Sequence, residues 1–131
     1  MTHQQFIHLL DRLSQDRFAL TALDVQSFGK FQQMLLSSFQ TTADKDAADK
    51  FYVQDWYLLG TDGCHLCDEA YKLLDQVRTI ALVPPVHQLD LINAADDVLI
   101  ETLGVMIPVL ITPRRLLCYP FGAMDILALA D

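Results

Sequence analysis

The residues of this chain with the most pronounced chemistry are two cysteines separated by two positions, in Cys64-His65-Leu66-Cys67. Thiols at this spacing close a disulfide easily when the first stands at the N-terminal edge of a helix and the second lies within its first turn, because both sulfurs then fall on one side. The same placement makes the two thiols unequal. Unsatisfied N–H groups and the positive end of the helix macrodipole stabilise a thiolate on Cys64, so its pKa is expected below the free-thiol value of about 8.5. Thiolate is the attacking species in thiol–disulfide exchange, and Cys67, one turn further in, suits resolution of the mixed disulfide. A protonated His65 favours the thiolate, whereas Asp62, Asp68 and Glu69 oppose it, so a modest depression is expected.

Metal binding is the other chemistry open to paired cysteines. A structural zinc site needs four ligands, and Cys118, the four histidines and the carboxylates stand at no recognisable metal-ligand spacing, so no metal ligands are assigned. Cys118 reads as a core or half-buried thiol, and His87 as a strand residue with a satisfied hydrogen bond. Arg114-Arg115 reads as a solvated turn, and Trp56 as packing between the core and the helices that precede it.

The segments around the pair must place it. Trp56-Tyr57-Leu58-Leu59 predicts a buried strand ending at Gly60, followed by the loop Thr61-Asp62-Gly63. From Cys64 the spacing turns helical, with Leu66, Ala70, Leu73, Leu74 and Val77 facing inward, in a segment bounded by Pro84-Pro85. Residues 86–91 are strand-like, and a short helix opens at Asn93 and ends at Gly104. Residues 105–111 are apolar throughout, 112–115 a turn, 116–119 a returning strand and 123–130 a last helix. This order predicts an α/β fold with a four-stranded mixed sheet flanked by helices: a parallel strand–helix–strand unit, then an antiparallel hairpin.

Upstream, residues 4–14 carry Phe6, Ile7, Leu9, Leu10 and Leu13 at amphipathic-helix spacing. A second helix, from 22 to 39, runs through Val25, Phe28, Phe31, Met34, Leu35 and Phe39, although Gly29 weakens it by about 1 kcal/mol relative to alanine. The polar run 41–50 marks a linker, dividing the chain into a helical N-terminal extension, 1–50, and a domain, 51–131. The aromatic second helix is expected to pack on that domain, with dimerisation through the N-terminal helices as the alternative.

At 131 residues and 52 % hydrophobic content, the chain suffices for one compact domain with an appendage. Its net charge of −8 is concentrated at the C-terminal side, where residues 51–131 carry four Lys/Arg against eleven Asp/Glu. That balance repels phosphate backbones and anionic lipid surfaces, so neither nucleic acid nor a membrane is an expected partner. A secretory leader pattern is missing at the start, and no apolar run approaches the roughly 18–20 residues needed to span a bilayer. A soluble, cytoplasmic protein is expected, a compartment in which a close cysteine pair suggests redox or metal chemistry.

Gly60-Thr61-Asp62-Gly63, then Cys64-His65-Leu66-Cys67-Asp68-Glu69-Ala70, and further on Gly104-Val105-Met106-Ile107-Pro108-Val109-Leu110 together resemble the glutaredoxin-like proteins of the thioredoxin superfamily. The resemblance covers residues 55–131 and is strongest to the small group with a Cys-His-Leu-Cys centre and a Tyr-Pro-Phe or Trp-Pro-Phe ending, here Tyr119-Pro120-Phe121. It implies a thioredoxin-like fold, a nucleophilic Cys64, a resolving Cys67 and a redox disulfide between them. It further implies a cis peptide bond between Ile107 and Pro108, with these two residues facing the cysteines and presenting backbone to an extended substrate. The implied activity is thiol–disulfide exchange on a disulfide-containing protein or a small thiol substrate, without metal or organic cofactor. The alternative is a non-catalytic interaction or redox-sensing module on the same fold. Two features depart from glutathione-dependent members: no Lys or Arg stands shortly before Cys64, and the Gly-Gly-Asp pattern near the last helix is reduced to Gly122 and Asp125. Glutathione is therefore kept as a candidate co-substrate with no residues assigned to it.

Overall fold

The computed structural model of the chain describes residues 1–16, 18–39 and 54–129, so the run read as a linker lies outside the described residues. Among the described residues, two α-helices and a 3₁₀ turn precede the sheet. Thr2 starts α1 (His3–Gln15) with a capping box: its hydroxyl accepts from the Gln5 N–H at 3.1 Å, and its own N–H donates to Gln5 Oε1 at 2.9 Å. Residues 19–22 form a separate 3₁₀ turn. α2 (Val25–Ser37) then starts later than the apolar periodicity predicts, because the Asp24 carboxylate accepts from the Ser27 N–H at 2.6 Å and fixes the N-terminus there. That hydrogen bond holds the Asp24 carboxyl below the usual carboxylate range.

β1 (Trp56–Gly60) is an inner strand of the sheet. α3 (His65–Arg78) carries the chain across to β2 (Val86–Asp90), which pairs with β1 in parallel, as such a crossover requires. α3 stops at Arg78, well before the prolines, because the Ile80 and Ala81 N–H groups both turn back onto the Val77 carbonyl at 3.0 Å. A 3₁₀ turn at Leu91–Asn93 follows, and α4 (Asp97–Leu103) begins only after Asp96 caps it through the Val98 N–H at 2.9 Å. β3 (Val109–Ile111) and β4 (Leu116–Cys118) form the antiparallel hairpin, and α5 (Ala123–Leu129) closes the described chain. The sheet order is β2-β1-β3-β4, the mixed four-stranded sheet that the alternation of segments predicts.

Residues 105–108, read from their apolar character as part of a strand, are not one. The N–H groups of Met106 and Ile107 both donate to the Leu103 carbonyl, at 2.9 and 3.1 Å, and Pro108 has no N–H to give a ladder. The hairpin turn is organised by the buried Thr112, whose hydroxyl accepts from the Arg115 N–H at 3.0 Å and donates to the Arg115 carbonyl at 2.7 Å, leaving both arginines exposed as expected.

Alternation along the strands sorts the core into two halves. Trp56, Leu58 and Leu110 pack with Ala70, Leu74 and Val77 of α3 and Ile126 of α5. Tyr57, Leu59, Val109, Ile111, Leu116 and Cys118 face the other way, towards α4, α1 and α2. Trp56 is thus not the contact with the N-terminal helices that the sequence suggests; the period of two puts it on the opposite face and gives that position to Tyr57. α4 spans only about 10 Å at 1.5 Å per residue, too little to cover a sheet face. The cover is completed by Phe6, Leu10 and Leu13 of α1 and by Phe28, Phe31 and Leu35 of α2, all buried in one cluster with the strands. The aromatic face of α2 is therefore packed within the chain. Among the described residues, no helix is long and apolar enough to cross a membrane.

Candidate active site

The site forms where β1 ends. Gly63 takes the left-handed conformation, φ +77°, that turns the chain from the strand into α3, and the Cys64 N–H donates to the Thr61 carbonyl at 3.3 Å. Cys64 is the N-cap of α3 with extended backbone, φ −84° and ψ 103°. Its sulfur takes the part usually played by a serine or aspartate oxygen: Sγ accepts the Cys67 N–H at 3.1 Å. The same two residues are joined by a disulfide, with Cα atoms 5.2 Å apart. Cys64 is half-buried while Cys67 is 8 % exposed, so Cys64 is the more accessible residue of the pair.

Gly60, which the sequence places at the end of a strand just before the motif, also packs against the pair. A Cβ on Gly60 would stand 2.9 Å from Cys67 Sγ and 3.1 Å from Cys67 Cβ, so the sulfur occupies the space that any larger residue would need. The available signal was a glycine at the end of a buried strand just ahead of the cysteine pair.

The antiparallel pairing ends with Leu59 opposite Val109, so Gly60 and Pro108 are the residues that next leave the paired strands. Pro108 and the disulfide therefore share one strand end. The Ile107–Pro108 bond is cis, as is Tyr119–Pro120, and the Pro108 carbonyl accepts the Tyr119 N–H at 3.0 Å. Ile107 is half-buried, and its N–H is engaged with Leu103 inside the chain.

Comparison with known protein families, with curated proteins and with solved structures gives no match to this chain. The functional reading rests on geometry: a disulfide at a helix N-terminus, directly after a strand, in a mixed four-stranded sheet of thioredoxin-like arrangement.

Charges around the pair are unevenly used. His65 Nε2 lies 3.5 Å from Glu69 Oε1, one helical turn away, and both side chains are exposed. Asp62, Asp68 and Asp90 line an open cavity of about 270 Å3 that reaches Gly60 and Cys67. Among the described residues, no group of three or more His, Cys, Asp or Glu is placed to hold a metal ion. Cys118 is buried on the sheet face opposite α3, in the core cluster with α1 and α2. His87 has the satisfied hydrogen bond expected of it, with Nε2 2.9 Å from Asp55 Oδ2 and its ring 5.2 Å from that of Tyr57, near the opposite end of β1 and β2. Gly122 and Asp125 bond to one another: the Gly122 N–H donates to Asp125 Oδ2 at 2.8 Å at the start of α5.

Proposed function

We propose that this chain is a glutaredoxin-like thiol–disulfide oxidoreductase in which Cys64 attacks and Cys67 resolves. The observation that carries the reading is the Cys67 N–H donated to Cys64 Sγ at 3.1 Å at the start of α3, on the more accessible residue of the pair. In the reduced protein that donor, the neighbouring helix N–H groups and the macrodipole favour the thiolate on Cys64. The thiolate attacks one sulfur of a substrate disulfide, forming a mixed disulfide and expelling the first substrate thiolate, which takes up a proton. Cys67 then loses its proton and attacks Cys64 Sγ, releasing the second substrate thiol and restoring the Cys64–Cys67 disulfide. The substrate gains two electrons and the protein loses two, so turnover requires a thiol or dithiol reductant to regenerate the pair.

Substrate contact is assigned to Ile107 and Pro108, supported by the antiparallel pairing that brings Pro108 and Gly60 to the same strand end. The Ile107 carbonyl accepts one backbone hydrogen bond from an extended, disulfide-bearing segment. The setting proposed is the reducing cytoplasm, with no metal or organic cofactor. Reduction of insulin by dithiothreitol, followed with wild type, Cys64→Ser and Cys67→Ser, tests the reading. Acceleration by the wild type and its loss in Cys64→Ser are expected. Activity unchanged in Cys64→Ser overturns the assignment, and a wild type that accelerates nothing points to an interaction module.

A further inference from the structure

We infer that the redox site selects disulfides carrying positive charge, such as a protein segment with Lys or Arg beside its half-cystine, and discriminates against anionic ones such as glutathione disulfide. The inference rests on the oxidoreductase reading and names its substrate class. The site itself is the disulfide and the cavity of about 270 Å3 whose wall Cys67 forms. β2 lies on one side of β1 and β3 on the other, so this cavity opens towards β2 while Pro108 stands on the β3 side. A substrate chain held at Ile107 and crossing Cys64 thus directs the residues next to its half-cystine into the cavity.

The cavity's charge is of one sign. Its three ionisable lining residues other than Cys67 are Asp62 from the loop, Asp68 from the first turn of α3 and Asp90 from the end of β2. Neither Lys, Arg nor His is among the described residues that line it. The one basic side chain of the motif, His65, is paired with Glu69 rather than with any of the three. Asp90 Oδ1 accepts the Ile92 N–H at 3.2 Å, and among the described residues no basic side chain is paired with it. The three carboxylates come from three elements and form no metal-binding group, an arrangement that suits an extended organic cation better than a bound ion. Clefts lined by one sign of charge raise the encounter rate of the opposite charge by about 10–10³-fold and lower that of the same charge, an effect that salt screens.

The test uses reduced full-length protein and three small disulfides: dicationic cystamine, neutral hydroxyethyl disulfide and anionic glutathione disulfide. Each rate of protein oxidation is divided by the rate of the same disulfide with dithiothreitol, which removes intrinsic differences in reactivity. At low ionic strength the normalised rate is expected to fall in the order cystamine, hydroxyethyl disulfide, glutathione disulfide, with about tenfold or more between the extremes. The spread is expected to shrink in about 1 M salt, and in a variant combining Asp62→Asn, Asp68→Asn and Asp90→Asn. Any change in Cys64 reactivity that these substitutions cause acts on all three disulfides alike and cancels in the ratio. Equal normalised rates, a reversed order or a spread that survives in the triple variant overturns the charge selection while leaving the oxidoreductase reading intact. Failure to react with all three overturns both.

Discussion

At the sulfur of Cys64 the local chemistry reduces to one backbone donor at 3.1 Å and a helix start behind it, with Asp62 and Asp68 close by in the chain and lining the cavity that reaches its partner Cys67. Donor and dipole favour a thiolate there, and the carboxylates of Asp62, Asp68 and Glu69 oppose it. In the reduced protein Cys64 is expected to titrate below about 8.5 by ultraviolet thiolate absorbance, and a value at or above that contradicts the electrostatic account. Gly60 makes a sharper claim. In the disulfide Cys67 is tethered and cannot swing away from an added methyl 2.9 Å from its sulfur, whereas in the dithiol it can rotate. Gly60→Ala is therefore expected to favour the dithiol by about tenfold, raising the reduction potential by about 30 mV against a thiol redox buffer. An unchanged potential removes Gly60 from the site. The cysteine pair and its helix were legible because both depend on short-range spacing; the role of Gly60 was not, because the contact exists only once strand and helix are packed.

Among the elements, the ones that the sequence located least well are those ended by a single polar contact rather than by periodicity. The apolar spacing of the second helix extends back to Ala22, yet Asp24 starts it at Val25. Because Asp24 binds its proton less readily when folded than when unfolded, its contribution is present above the unfolded pKa and is lost as pH falls through the folded one. Asp24→Ala is expected to lower Tm at neutral pH and to match the wild type once the pH is below both values; equal Tm at neutral pH contradicts the capping role. The stretch before β3 misled in the same manner, since uniform apolarity does not distinguish a strand from a turn whose N–H groups close on Leu103. The helical faces themselves were legible. Phe31, fully buried among the strands, α1 and α4, is expected to cost about 3–5 kcal/mol when replaced by alanine, read from denaturant unfolding, while the reduced protein still exchanges disulfides. A loss under about 1 kcal/mol, the scale of a surface substitution, contradicts the packing of α2 on the sheet.

Among the described residues, five α-helices and a mixed sheet bring the ends of β1 and β2, the start of β3 and the start of α3 to one edge, and the disulfide lies there. The mixed four-stranded sheet followed from the alternation of segments, because a parallel pair needs a crossover and a short turn needs an antiparallel one, whereas the strand order required the fold. That α1 and α2 share a core with the sheet followed only in outline: their apolar faces required a surface, but which face of β1 they meet depends on a register of one residue at Trp56 and Tyr57. The charge of the C-terminal portion was legible as a sum, whereas the convergence of Asp62, Asp68 and Asp90 on one cavity required the fold. All of these features matter to function only if Cys64 is the attacking sulfur. The direct measurement is mass mapping of the covalent adduct formed when each reduced single-cysteine variant meets a small disulfide. A mixed disulfide on Cys64 that accumulates in Cys67→Ser, with no corresponding adduct on Cys67 in Cys64→Ser, is the predicted result. An adduct on Cys67 alone, or none on Cys64, contradicts the account.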